Sequence, residues 1–243
     1  MDRLHHSPIE TERQYGQTGL PRRLLRHLIV SHGIGVGSRV LDAGCGSGEL
    51  AGYLSLLGID VTGLDSSPIV IAAARQTFPK LDFHLTCSEH DILPPDRLFD
   101  LVIVRELSLY DQCLASKETL GMTARLLSGL RPGGTLVFLT PTAVSDDSST
   151  HTTACYRRHL SGFPGNATSM IFQNGILQQF IPGWLSRRRA PSGHLLTGIQ
   201  IPSLPLKRSE WLRHAKSAAA KDNRPCCRQA DQSTAQDIHS RAA

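Results

Sequence analysis

The sequence predicts an α/β fold in which a doubly wound, mostly parallel sheet carries helices on both faces. Three observations support this. From about Arg39 to Leu139, short apolar runs alternate with stretches of helical periodicity, the pattern of βαβ units. A glycine-rich segment, Gly44-Cys45-Gly46-Ser47-Gly48, lies directly between the first apolar run and the first helix of that pattern. Asp65 ends the second run, 17 residues after Gly48. Both features therefore fall at the carboxyl ends of neighbouring strands, where such sheets open a crevice for ligands.

Taken in order, Pro21 to Val30 reads as an N-terminal helix that packs onto the sheet or covers the crevice. Arg39 to Ala43 is strand one and Glu49 to Leu57 the helix after it. Asp60 to Leu64 is strand two, and in Asp65-Ser66-Ser67-Pro68 either serine can cap a helix whose first turn accepts Pro68 and which runs to about Gln76. Leu81 to Leu85 and Leu101 to Val104 are strands three and four. Leu120, Ala124, Leu127 and Leu130 recur at helical spacing and form one buried stripe between Lys117 and Leu130. Arg131-Pro132-Gly133-Gly134 reads as a tight turn closing that helix, because proline fixes φ and glycine admits positive φ, and strand five follows over Thr135 to Leu139. The pattern breaks up between Thr142 and Ser192, with a helix expected over Met170 to Phe180 and a late strand over His194 to Ile201. A short helix around Trp211 to Ala220 leads into residues 222–243, which have too few large apolar side chains to offset the entropy of ordering and are expected to be disordered.

The composition fits this reading. The 243 residues suffice for one core, and 40% hydrophobic with 19% charged residues describes a soluble globule. No run approaches the ~18 apolar residues of a spanning helix, and the amino terminus has no apolar leader core, so neither membrane insertion nor export is expected. The six cysteines (Cys45, Cys87, Cys113, Cys155, Cys226 and Cys227) follow neither a zinc nor a disulfide spacing, and a reducing cytoplasm is the expected compartment. Of the net charge of +5, the segment after Leu206 carries +4, from 8 Lys+Arg against 4 Asp+Glu. The rest is close to neutral and has no basic stripe interleaved with aromatics, which disfavours nucleic acid as a partner.

The glycine loop is shaped to lie against a flat or extended ligand, since any Cβ would intrude. Gly46 to Ala51 formally satisfies GxGxxA, the nicotinamide dinucleotide pattern. Three features oppose that reading. Gly44 makes the loop GxGxG, Asp42 places a carboxylate at its entrance, and Glu49 sits at the helix start, where a pyrophosphate needs positive potential. A cationic ligand with a ribose suits the loop better, and Asp65 would accept from two ribose hydroxyls.

Four motifs in this order, VLDAGCGSG at 40–48, VTGLDSS at 61–67, FDLVIV at 99–104 and LRPGGTLVF at 130–138, resemble the class I S-adenosylmethionine-dependent methyltransferases. The resemblance spans Arg39 to Pro141. It implies a Rossmann-like, seven-stranded sheet whose last strand is antiparallel, with S-adenosylmethionine as cofactor across the carboxyl ends of strands one, two and four. By the family pattern, Asp42, Gly44, Cys45, Gly46 and Gly48 face the methionine part and ribose. Asp65 holds the ribose hydroxyls, Ser66 adjoins the adenine, and Asp91 with the backbone N–H of Ile92 reads the adenine edge. Arg105 stands where a backbone carbonyl meets the methionine ammonium. The implied organisation is a methyltransferase domain over 1–206, made of a helical lid region (1–38), the cofactor core (39–141) and an acceptor-side segment (142–206), followed by a short helix and basic tail (207–243).

Cys45, between two glycines, reads as a small side chain that fits and not as a nucleophile. After strand four, Arg105-Glu106-Leu107-Ser108-Leu109-Tyr110 resembles the EVLEH stretch of quinone-biosynthesis O-methyltransferases, matching its glutamate at Glu106 but replacing the histidine near the acceptor by Tyr110. The Asn/Asp-Pro-Pro-Tyr tetrapeptide of amino-group methylases is missing there. His151 and His159 are candidates for acceptor contacts, or else solvated or capping histidines. Arg22-Arg23 and Arg187-Arg188-Arg189 are either solvated faces or steer an anionic acceptor, and Phe180 and Trp184 are expected to pack beneath the lid. The expected activity is methyl transfer to an oxygen, nitrogen or carbon of a small molecule, with RNA or protein methylation and a non-catalytic binding scaffold as alternatives. No metal site and no general base is read from the sequence.

Overall fold

A computed structural model describes residues 18–86, 93, 98–111, 113–142, 151–173, 176–178 and 193–221 of the chain. Its elements in chain order are α1 (Arg22–Ser31), β1 (Arg39–Ala43), α2 (Glu49–Leu56), β2 (Asp60–Asp65), α3 (Pro68–Thr77), β3 (Asp82–Leu85) and β4 (Phe99–Val104). A 3₁₀ turn (Ser108–Asp111) precedes α4 (Lys117–Ser128) and β5 (Leu130–Thr142). Then come α5 (Thr153–Leu160), β6 (Asn166–Gln173), β7 (Ile176–Gln178), β8 (Gly193–Gln200) and α6 (Arg208–Lys221). The expectations for Asp91, Ile92, Phe180, Trp184, Arg187 to Arg189, Cys87, Cys226, Cys227 and residues 222–243 lie outside the described residues.

The strands form one sheet in the order β3-β2-β1-β4-β5-β8-β6-β7. β1 to β5 are mutually parallel, β8 runs antiparallel to β5, and β6 antiparallel to β8. This is the expected seven-stranded arrangement with a reversed last strand. The three-residue β7, paired antiparallel to β6, adds an eighth strand at the edge.

Strand alternation sorts the core into two layers. Leu41, Val102, Val104, Leu136 and Phe138 point to the face covered by α4, α5 and α6, where Leu120, Leu127, Leu160 and Trp211 meet them. Val40, Leu101, Ile103, Val137 and Leu139 point to the opposite face, under Leu24, Leu25 and Leu28 of α1 together with Leu50 and Leu54 of α2 and Ile71 of α3. The leucines of α1 are therefore core, while Arg22 and Arg23 are exposed or partly so on its outer side. Ser67, not Ser66, caps α3, its Oγ accepting from the Val70 N–H at 3.4 Å with Pro68 behind it at the first helical position.

Three sequence expectations are corrected. Leu130 does not extend α4; Gly129 ends the helix, and Leu130 pairs with Phe99 as the first residue of β5. Arg131 to Gly134 lie inside that strand, where the pairing jumps from Phe99–Leu130 to Leu101–Thr135, so the glycine-rich turn is an irregularity within β5, with Gly133 at φ +80°. The helix expected over Met170 to Phe180 is instead the β6–β7 pairing, in register from Ile171–Gln178 to Gln173–Ile176. Met170 and Phe172 face one core layer and Ile171 the other, a period of two that outweighs helix propensity once β8 is alongside. The Asn174-Gly175 pair between the two strands is a hairpin signal in the sequence.

Within the irregular region α5 begins at a Thr152 cap, whose Oγ1 accepts from the Cys155 N–H at 3.4 Å. Cys155 is disulfide-bonded, although no disulfide framework is readable in the cysteine spacing and a reducing compartment is expected, whereas Cys45 and Cys113 are not in disulfides. Spacing could not reveal this, because a disulfide depends on which cysteines the fold brings together. Among the described residues no helix is long and apolar enough to cross a membrane.

Candidate active site

The glycine loop joins β1 to α2 and is held by its neighbours' backbones. The Gly44 and Cys45 N–H groups both donate to the Leu64 carbonyl of β2, at 2.7 and 2.9 Å. Gly44 adopts φ +86°, and a Cβ there would lie 1.6 Å from the Arg105 carbonyl oxygen, so β4 and the loop touch backbone to backbone. Gly48, at φ +90°, starts α2 against the rings of Phe83 and Phe78. Gly46, at φ +57°, is different: nothing lies within 4 Å of where its Cβ would be. The loop thus presents bare backbone to open space at the carboxyl edge of the sheet, a cradle suited to a ligand.

Asp65 sits at the end of β2 and closes that cradle. Its Oδ2 accepts from the Gly46 N–H at 3.1 Å and its Oδ1 from the Ser67 N–H at 2.9 Å. A carboxylate has about four acceptor sites, so two remain for a ligand's hydroxyls. Ser66, beside it, is exposed. Cys45 is fully buried, and burial pushes its thiol pKa well up, in keeping with a packing role.

Asp42 is fully buried at the loop entrance. Burial raises its carboxyl pKa, opposed by the Arg105 guanidinium, whose Nε lies 3.4 Å from Oδ1 and Nη2 3.5 Å from Oδ2. Asp65 and Glu49 add smaller upward contributions. This ion pair was not legible in the sequence, which assigned Arg105 only a backbone role. Glu49 stands at the first position of α2, its Oε1 accepting from the Ser47 hydroxyl at 2.5 Å, so a carboxylate occupies the helix end where a pyrophosphate would bind.

Next to the Arg105 crossing, a cavity of about 230 Å³ opens between the carboxyl ends of β4 and β5. Glu106, Leu107, Tyr110, Phe138, Pro141 and Tyr156 line it. The Tyr110 ring stands edge-on to Phe138 at 4.8 Å between centroids, and Phe138 lies 5.0 Å from Tyr156, giving one continuous aromatic wall. Glu106, Leu107 and Tyr110 belong to the 105–110 stretch singled out in the sequence, whereas Phe138 and Pro141 of β5 and Tyr156 of α5 join them only through the fold.

Of the two candidate histidines, His151 is buried with its ring edge-on to Tyr156 at 5.9 Å, behind that wall. His159 is buried in the helix layer with both ring nitrogens engaged, Nδ1 by the Leu114 carbonyl at 2.6 Å and Nε2 by the Thr123 hydroxyl at 2.7 Å. Its pKa is pushed down to about 4, chiefly by burial. It is a core histidine.

A family model described as a methyltransferase domain matches residues 14–175. The chain belongs to the class I S-adenosylmethionine-dependent methyltransferase family. Among curated relatives, the ubiquinone biosynthesis O-methyltransferase of Aromatoleum aromaticum is 34% identical over 108 residues, 43% of this chain and 44% of that protein. The ribosomal RNA small subunit methyltransferase C of Chromohalobacter salexigens is 42% identical over 57 residues, 24% of this chain and 17% of that one. The chain thus spans less than half the length of these relatives. Among solved structures, a TehB-like methyltransferase from Corynebacterium glutamicum has a TM-score of 0.55 at 21% identity, covering 80% of this chain and all of that one. A plantazolicin methyltransferase solved with S-adenosylhomocysteine has a TM-score of 0.52 at 17% identity, covering 80% and 90%. At 80% of the chain, these likenesses show that the fold shared with them extends beyond the four motifs.

Proposed function

We propose that this methyltransferase transfers a methyl group from S-adenosylmethionine to a hydroxyl of a small molecule with a flat, apolar body. The aromatic-walled cavity beside the glycine loop carries the reading. A cavity of about 230 Å³ admits a ring-sized group, and its walls reward a planar apolar one. The names of the curated relatives, ubiquinone biosynthesis O-methyltransferases, support an acceptor of small-molecule size. Methylation of RNA has no comparable support, since the match to the ribosomal RNA enzyme covers only 57 residues.

In this reading, Asp42 and the backbone of Gly44, Cys45, Gly46 and Gly48 hold the methionine and ribose portions of the cofactor. Asp65 accepts from the ribose hydroxyls and Ser66 borders the adenine, as do Asp91 and the Ile92 N–H by family pattern. The Arg105 carbonyl is directed at the ammonium group. When bound, S-adenosylmethionine supplies a methyl group already made electrophilic by the sulfonium. The protein's work is then to hold the acceptor oxygen in line and keep water out. Leu107, Phe138 and Pro141 exclude water from the cavity, and Tyr110 and Tyr156 clamp the acceptor's flat body between them.

The test is ligand binding followed by labelling. S-adenosylhomocysteine should bind and raise the melting temperature, as any ligand selective for the folded state does, while NADH should do neither, because Glu49 repels its pyrophosphate. Labelled S-adenosylmethionine mixed with the protein and a metabolite extract should yield a labelled small aromatic. NADH binding without S-adenosylhomocysteine binding would overturn the reading.

A further inference from the structure

We propose that Glu106 takes the proton from the acceptor's hydroxyl as that oxygen is methylated, an assignment that rests on the cavity being the acceptor site. Glu106 follows Arg105, whose carbonyl oxygen packs on Gly44, so it stands where the glycine loop and the cavity meet. Its backbone has φ +45°, and it is the one residue other than glycine with positive φ among the described residues. A long L side chain rarely adopts that conformation, and glycine or asparagine would hold it more easily. Glu106 lines the cavity and is exposed, and no described residue pairs or hydrogen-bonds with its carboxylate. A residue with a strained backbone and an uncommitted carboxylate thus borders the cavity.

The other polar side chains that line the cavity are engaged. The Leu114 carbonyl can only accept, so His159 Nδ1 carries the ring's proton. Burial keeps that ring neutral, so Nε2 can only accept, and the Thr123 hydroxyl gives its proton to Nε2 or to the Thr119 carbonyl 3.1 Å away. Thr123 has one proton to give, so Tyr110 must donate its own to Thr123 Oγ1 at 2.8 Å. The Tyr110 hydroxyl is therefore turned inward, and burial raises its pKa. Tyr156 accepts from the Thr140 hydroxyl at 3.2 Å, and burial raises its pKa as well. Both phenols stay protonated at neutral pH and serve as walls. Asp111, the second carboxylate on the cavity, lies on the 3₁₀ turn and has interactions of its own. Arg105 is paired with Asp42; His194, opposite Pro141 on β8, has a buried Nδ1 without a hydrogen-bond partner but does not line the cavity; and His151, edge-on to Tyr156, does not line it either.

The proton balance is simple. The acceptor O–H bond breaks, its proton goes to a Glu106 Oε, and the electron pair left on oxygen forms the new bond to carbon. The pair of the broken sulfur–carbon bond stays on sulfur, and the exposed Glu106 returns its proton to water.

The test uses the full chain saturated with S-adenosylhomocysteine and, as probe, 4-nitrocatechol, a hydroxylated ring whose visible absorbance changes on ionisation. A carboxylate beside the bound hydroxyl opposes a second negative charge, so Glu106→Gln should lower the pH at which the bound probe ionises by about one unit. Its affinity for the neutral probe should change less than about threefold, since the amide can still hydrogen-bond. Asp111→Asn should leave the midpoint in place, and Glu106→Gly should melt no lower than the parent, because glycine relieves the positive φ. A midpoint unmoved by Glu106→Gln, a larger shift from Asp111→Asn, or no probe binding to the parent would overturn the proposal. Calorimetry on the same samples separates the two ideas. Failure to bind S-adenosylhomocysteine would remove the methyl-transfer reading itself, whereas intact binding with an unmoved midpoint would remove Glu106 alone.

Discussion

Replacing Asp65 with alanine tests the proposed cofactor site most directly, because that carboxylate both shapes the cradle and would hold the ligand. In the free protein it accepts the Gly46 and Ser67 N–H groups. Hydrogen bonds to a charged acceptor are worth ~1.5–3 kcal/mol each when sheltered. Asp65 is only partly buried, so water recovers much of this, and a stability loss of about 1–2 kcal/mol is expected. For a domain of this size that lowers the melting temperature by roughly 2–8 °C. The cofactor loses more: two charge-assisted bonds from ribose hydroxyls disappear, and Gly46, no longer tethered, must be ordered again on binding. Affinity for S-adenosylhomocysteine should fall at least about tenfold, a change of ~1.4 kcal/mol. Isothermal titration calorimetry of variant and parent, with thermal melts in the absence of ligand, separates the two effects. A variant that binds as tightly as the parent would show that the ribose is held elsewhere and refute the assignment of Asp65.

A paired substitution in the glycine loop separates packing from ligand space. Gly44→Ala drives a Cβ into the Arg105 carbonyl at φ +86° and should greatly reduce soluble, folded protein. Gly46→Ala places a methyl in open space at φ +57° and should cost only about 1–2 kcal/mol of stability while abolishing measurable S-adenosylhomocysteine binding; equal behaviour of the two variants would contradict the cradle geometry. His159 predicts an acid-side loss of stability. Its folded pKa of about 4 lies below the ordinary histidine value of 6.5, so as pH falls below 6.5 the unfolded chain takes up a proton that the folded chain refuses. Its contribution is complete above pH 6.5 and falls by about 3 kcal/mol toward pH 4. Urea unfolding at both pH values should show a smaller loss for His159→Gln than for the parent, and identical losses would show that this imidazole is not held neutral in the core.

What the sequence determined by itself was local. The glycine loop, Asp65, the cap of α3 and the four parallel motifs were legible because each depends on residues close in the chain: backbone freedom at Gly46 and Gly48, a carboxylate at a strand end, a serine before a proline. The alternation of apolar runs set the β1 to β5 layer, since period two and period 3.6 bury different faces. The Met170 to Gln178 stretch went the other way, because its side chains satisfy either period weakly and pairing with β8 decided it. The acceptor side was legible only in its 105–110 stretch, and not in the residues that complete the cavity around it. Asp42 meets Arg105 across 63 positions, and Phe138 and Tyr156 share a wall with Tyr110 only because the ends of β4 and β5 and the first turn of α5 converge. Even the inward turn of the Tyr110 hydroxyl follows from a carbonyl on the loop before α4 and an imidazole on α5. Local chemistry fixes how a segment bends and caps, whereas which side chains enclose a cavity depends on long-range packing, and only the tertiary structure decides that.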